Sequence, residues 1–86
     1  RELHLESMRG ECWSYKTQHN GDRSSLEIGM LRVGAEMLVS CPVYKPEGYV
    51  PAGALSVSWG SPYIDKEIAK AELKALAEGM GEFLED

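Results

Sequence analysis

From Met37 to Tyr44 the chain alternates. Met37, Val39, Cys41 and Val43 fall on one side, and Leu38, Ser40, Pro42 and Tyr44 on the other. A period of two predicts a β-strand. Lys45-Pro46-Glu47-Gly48 follows as a turn, with proline where φ is near −65° and glycine free to take a positive φ. A second alternating run puts Leu55, Val57 and Trp59 opposite Ala54, Ser56 and Ser58. Its small, polar side suits a place where a helix or another backbone comes close. The two runs form an antiparallel hairpin. Pro51 fits only at a strand start or an edge, and Gly60-Ser61-Pro62 closes the second strand.

The remaining long segment, 64–86, changes period. Ile68, Ala69, Leu73, Leu76, Met80, Phe83 and Leu84 recur at steps of three and four, which keeps them on one stripe of a helix. Asp65 is placed to cap its start. Gly79 and Gly81 weaken its second half by about 1 kcal/mol each, and Glu82, Glu85 and Asp86 oppose the helix dipole at its end. Upstream the pattern is weaker. Residues 11–17 alternate with an aromatic side at Trp13 and Tyr15, and read as a strand. Asn20-Gly21 marks a turn. Over 24–36, Ser24 and Glu27 form a capping box, and Leu26, Met30 and Val33 share a helical face, but the same run also alternates as a strand; the expectation leans to a short helix or an irregular crossover. Residues 2–6 read as a further strand. No internal repeat is present.

The elements sum to an α+β fold: a small antiparallel sheet packed against a long C-terminal amphipathic helix. Eighty-six residues make one domain, 1–86. The chain opens with Arg1 rather than Met, so it reads as a piece of a longer protein. Its longest uncharged stretch, 48–64, carries two prolines and three glycines and cannot span a membrane as a helix. Net charge is −5, and the basic residues are scattered except for Lys66, Lys70 and Lys74 along one helical stripe. That argues against nucleic acid as a partner.

Candidate chemistry is sparse. Cys41 could serve as a nucleophile with His4 or His19 as its base, but nothing in the pattern lowers its pKa, and a small buried strand residue is the simpler reading. No Gly-x-Ser-x-Gly elbow, no phosphate loop and no metal-ligand spacing occur. We therefore expect no catalytic residue, no metal and no cofactor. Cys12 and Cys41 are open equally to a disulfide and to two free thiols. Trp13 and Trp59 read as core. Tyr44, Tyr49 and Tyr63 flank turns, and with Lys45 and Glu47 they are the candidate partner-binding residues, because exposed tyrosines favour interfaces.

Taken in order, Ser40-Cys41-Pro42, Tyr44, a polar turn, Ala52-Gly53, a smooth strand ending in Trp59, and a capped final helix resemble the C-terminal half of the periplasmic domain of T-even phage holins. The likeness covers about residues 37–84. The same run is similar to the end of a GAF or PAS-like sensor domain, in which a Pro…Gly…Ala-Gly-x-Leu-x-Val hairpin precedes a terminal helix. The holin resemblance implies a domain on the periplasmic side of the host inner membrane, tethered by an upstream transmembrane segment. It implies timing of membrane permeabilisation and lysis through self-association, with an antiholin as the delaying partner. An oxidising periplasm would favour a Cys12–Cys41 disulfide. The sensor resemblance implies instead a small-ligand or protein-interaction module without enzymatic activity. In either case the tyrosine-bearing hairpin edge and the acidic final helix are the expected contact surfaces. Tyr44→Ala with Tyr49→Ala should weaken partner binding in a pull-down without unfolding the domain, and unchanged binding would remove the hairpin from the interface.

Overall fold

The computed structural model describes residues 9–19, 24–61 and 63–84. The expected strand at 2–6 and the Asn20-Gly21 turn lie outside them. The chain runs β1 (Trp13–Lys16), α1 (Ser25–Arg32), β2 (Met37–Val43), β3 (Gly53–Trp59) and α2 (Lys66–Phe83). The strands form one antiparallel sheet in the order β1-β2-β3. β1 pairs from Trp13↔Ser40 to Lys16↔Met37, and β3 from Met37↔Trp59 to Val43↔Gly53. The α+β class and the hairpin are as the alternation predicts. The short helix also forms where the capping box lies.

β2 is the centre of the molecule. Its Val39, Cys41 and Val43 are buried and meet Leu73 and Ala77 of α2. Leu55 and Trp59 of β3, with Cys12, Ala69 and Leu84, pack around them. Each fully buried aliphatic side chain contributes about 1.5–3 kcal/mol. On the reverse face Ser56 donates to Ser40 at 2.8 Å, which supplies the buried Ser40 hydroxyl with a partner. The Trp59 indole N–H is buried without a partner among the described residues. Trp13 departs from expectation: it lies on the reverse face, 47% exposed, and is not core.

Pro42 shapes the sheet. A central strand tolerates proline poorly, since proline has no N–H for the ladder. The β1 ladder ends at Trp13↔Ser40, two residues before Pro42, while β3 continues to Val43. Beyond that fork the chain ahead of β1 leaves the ladder. Cys12 and Cys41 form a disulfide there, with their Cα atoms 4.1 Å apart. Directly opposite in the extended register, they pin the last point of contact between the two strands.

α1 begins at Ser24, whose hydroxyl accepts from the Glu27 N–H at 3.1 Å. The other half of a capping box does not form. The Glu27 carboxylate is buried and turns toward β1, accepting from the Tyr15 hydroxyl at 2.7 Å and the Gln18 N–H at 2.8 Å. That hydrogen bond, with desolvation and the carboxylate's charge, raises the Tyr15 phenol above its ordinary pKa. The buried face of α1 is therefore Glu27 and Met30, while Leu26 and Val33 are exposed. The polar tie to β1 outweighs the apolar stripe.

α2 is capped as the sequence predicts: Asp65 accepts from the Glu67 N–H at 2.7 Å and the Ile68 N–H at 3.4 Å, a contribution of about 1 kcal/mol. Its seated face takes Ala69, Leu73 and Leu84 from the expected stripe but not Ile68, Leu76, Met80 or Phe83. Leu73, Ala77 and Gly81 are buried, with Ala69 and Leu84 beside them. Ile68, Leu76, Met80 and Phe83 are exposed. The physical cause is close approach. A Cβ at Gly81 would collide with the Tyr44 carbonyl oxygen, so only glycine lets the last turns lie against the end of β2. Gly79 faces open space. Gly79→Ala should therefore raise stability by up to about 1 kcal/mol, the ordinary helix-propensity gain. Gly81→Ala should lower it by about 1–3 kcal/mol, because overpacking outweighs that gain. Urea denaturation followed by circular dichroism compares the two; equal effects would contradict the close approach.

Candidate functional site

The fork at Pro42 opens a cleft of about 770 Å³ between the segment ahead of β1, the β2–β3 loop and the second half of α2. Its floor is small and apolar: Pro42, Ala77 and the Cys12–Cys41 disulfide. Its rim carries both signs of charge, with Arg9, Lys45 and Lys74 against Glu11, Glu47, Glu78 and Glu82. Lys74, Glu78 and Glu82 come from one side of α2, each four residues from the next, as helix geometry requires for a shared face.

The β2–β3 loop forms the outer wall. Its turn closes through the Gly48 N–H donating to the Lys45 carbonyl at 2.9 Å. Proline sits second in the turn, as expected. The residue with positive φ is Glu47, at 59°, and not Gly48. A side chain at that angle is uncommon outside Asn, Asp and His, and it points Glu47 into the cleft rim.

Arg9 ties the preceding segment to this turn. Its Nε donates to the Gly48 carbonyl at 2.7 Å and its Nη2 to the Lys45 carbonyl at 3.2 Å. Its guanidinium lies over the Tyr44 ring at 4.9 Å, a cation–π distance. The Gly10 N–H donates to the Tyr44 hydroxyl at 2.6 Å. Four contacts thus converge on one turn and hold the cleft's two strand-side walls together.

Of the candidate residues, the fold brings Tyr44, Lys45 and Glu47 to one place, the cleft. Tyr49 lies in a shallow hollow next to it, again with Lys45 and Glu47. Tyr63 does not join them. It stands just ahead of α2, beyond the helix end opposite Gly81, and is 92% exposed. Tyr44 also turns out to hold structure, so its removal disturbs the Arg9–Gly10 segment as well as the cleft. Sequence reasoning named the acidic helix only as a whole, without singling out Lys74 or Glu78, and missed Arg9. The lysine–glutamate spacing of four on α2 was a usable signal; Arg9 had none, because its partners lie 36 and 39 residues away.

Cys41 is bonded to Cys12, so in this state it has no thiolate to offer as a nucleophile. His19 contacts Thr17 at 3.0 Å and the Glu36 carboxylate at 3.8 Å, away from the cleft. Among the described residues no three His, Cys, Asp or Glu side chains are grouped to hold a metal ion, and no helix is long and apolar enough to cross a membrane. The arrangement offers backbone and side-chain polar groups and charges of both signs over a small apolar floor. No family model, curated protein or solved structure matches this chain.

Tyr44→Phe should speed exchange of the Gly10 amide about tenfold, the equivalent of one lost hydrogen bond, and leave the β2 amides unchanged. Tyr49→Ala should leave both as they are. Hydrogen exchange read by NMR decides it, and an unaltered Gly10 rate in Tyr44→Phe would show that the hydroxyl is not its acceptor.

Proposed function

We propose that this chain is the periplasmic domain of a lysis-timing membrane protein of the T-even phage holin type. In this reading an upstream transmembrane segment tethers it to the host inner membrane. Copies accumulate and self-associate, and permeabilisation follows. An antiholin that docks on the domain delays that step. The cleft is the docking site, with Tyr44, Lys45 and Glu47 on its outer wall, Tyr49 beside it, and Tyr63 outside it.

The observation that carries this reading is the disulfide at the floor of the cleft. Ser40-Cys41-Pro42 is the segment on which the holin resemblance begins, and here it builds the fork, the pin and the cleft together. A disulfide at a core position suits an oxidising compartment such as the periplasm. The rest of the resemblance follows in the same order: the turn, Ala52-Gly53 at the start of β3, Trp59 at its end, then α2.

A second reading has one observation in its favour. The cleft volume lies within the roughly 300–1,000 Å³ of small-ligand sites, and three antiparallel strands leading into a helix suit the end of a GAF or PAS-like sensor. The charged rim favours a polypeptide over a drug-sized apolar ligand, so the holin reading stands first.

The test uses the full gene product in a growing bacterial host. Trapping with a maleimide-linked polymer should leave Cys12 and Cys41 unmodified until a reductant is added, and membrane potential should collapse abruptly at a fixed time after induction. Lys45→Glu with Tyr49→Ala should keep that collapse but blunt its delay by a co-expressed antiholin. Two reactive thiols in the intact cell, or no collapse of potential, would overturn the reading.

A further inference from the structure

The side of α2 opposite the cleft is unlike the rest of the surface. Lys74, Glu78 and Glu82 turn toward β1, where they line the cleft with Cys12. About a quarter-turn round the helix from its seated face, on the other side, come Leu76, Met80 and Phe83, which are 62%, 48% and 87% exposed. They face the β3 side of the sheet. There Val57 is 41% exposed. Among the described residues within α2, Glu72 is the charge that interrupts this flank.

β3 itself is an edge. Among the described residues nothing pairs with its outer side. It is seven residues long, Gly-Ala-Leu-Ser-Val-Ser-Trp, and five of the seven are exposed. Natural edge strands are protected by lysine, proline, a bulge or a cover, because a bare row of N–H and C=O groups recruits another strand. Among the described residues, β3 shows none of these devices between Gly53 and Trp59. Two features therefore coincide on one side of the molecule: an unprotected strand edge and an apolar helix flank beside it.

We propose that this side is the docking surface for a second copy of the chain, joined β3 to β3 in antiparallel fashion about a two-fold axis. The interface is isologous, so the same patch serves both copies and the assembly closes at two. Pairing turns two three-stranded sheets into one of six strands. The two α2 helices then lie on the same face of that sheet, with Leu76, Met80 and Phe83 of each turned toward the other. Around the axis, Leu55 and Val57 meet on the helix face, and Ala54, Ser56 and Ser58 on the reverse face. No like charges are brought together in the ladder.

Area selects this occupant, and charge limits where it can sit. Each copy carries −5, so a second copy is repelled from most of the surface and accepted where charge is absent. Weighted by their exposures, Val57, Leu76, Met80 and Phe83 present roughly 500 Å² per copy, and a specific interface needs about 1,000 Å² in all before the backbone ladder is added. The cleft stays free on the far side of α2, so dimerisation and partner docking do not compete. The proposal deepens the self-association part of the function proposed above and rests on that reading only there.

The experiment is sedimentation equilibrium of the purified chain from about 10 µM to 1 mM, with hydrogen exchange at both ends of that range. The wild-type mass should rise from 9.5 kDa to twice that value. Exchange of the outward amides of 53–59 should slow at least about tenfold as it does so. Leu76→Glu with Phe83→Glu should remain at 9.5 kDa throughout, with an unchanged melting temperature, since neither side chain is buried. A wild-type chain that stays monomeric at 1 mM overturns the proposal. So does a dimer that survives both glutamates, or one that forms without protecting 53–59. Mass and exchange are read without lysis or antiholin, so a monomer leaves the cleft reading intact, and a failed lysis assay leaves the dimer intact.

Discussion

The seating of α2 on β2 by its smallest residues is the constraint from which the other features descend. Ala77 and Gly81 bring the helix backbone close to the strand, with Leu73 filling the gap over Val39, Cys41 and Val43. A chain of this size has little core to spare, so close packing of a few residues substitutes for depth. The same seating fixes the helix's rotation. One flank then presents Lys74, Glu78 and Glu82 to the cleft, and the other presents Leu76, Met80 and Phe83 to solvent beside β3. Two different surfaces are set by one contact.

A second constraint works along the strand. Pro42 lacks the N–H that would carry β1 further, and the disulfide holds the strands where pairing stops. The 29-residue separation of Cys12 and Cys41 places their contribution at about 3–4 kcal/mol through the unfolded chain. Without the pin, the fork would widen and the cleft would lose its floor. Arg9 and Tyr44 finish the enclosure from outside by tying the segment ahead of β1 to the turn at 45–48.

Much of the fold was legible because it is local. The alternation at 37–43 and 53–59, the turn at 45–48 and the Asp65 cap depend on residues within a few positions of one another. Two readings held only in part, where distant contacts decide. Of the apolar stripe expected on α2, Ala69, Leu73 and Leu84 are seated, yet the helix is turned toward Ala77 and Gly81, since Gly81 meets a carbonyl 37 residues earlier in the chain. Glu27 looked like the return half of a capping box, yet its carboxylate goes to Tyr15 and Gln18 across space. The candidate site divided the same way. Tyr44, Lys45 and Glu47 adjoin one turn and stay together, while Tyr63 is carried off by the fold and Arg9 enters from another segment.

The most direct test of this account is the rotation of α2, read from proton–proton contacts in solution. Cross-peaks are expected from the Ala77 methyl to the methyls of Val39 or Val43, and from the Gly81 α-protons to Tyr44. None is expected within one chain from the Phe83 ring to Val39 or Val43. Contacts from Phe83 or Leu76 to those valines would mean the helix is turned by about a quarter, and would contradict both the cleft and the exposed flank together.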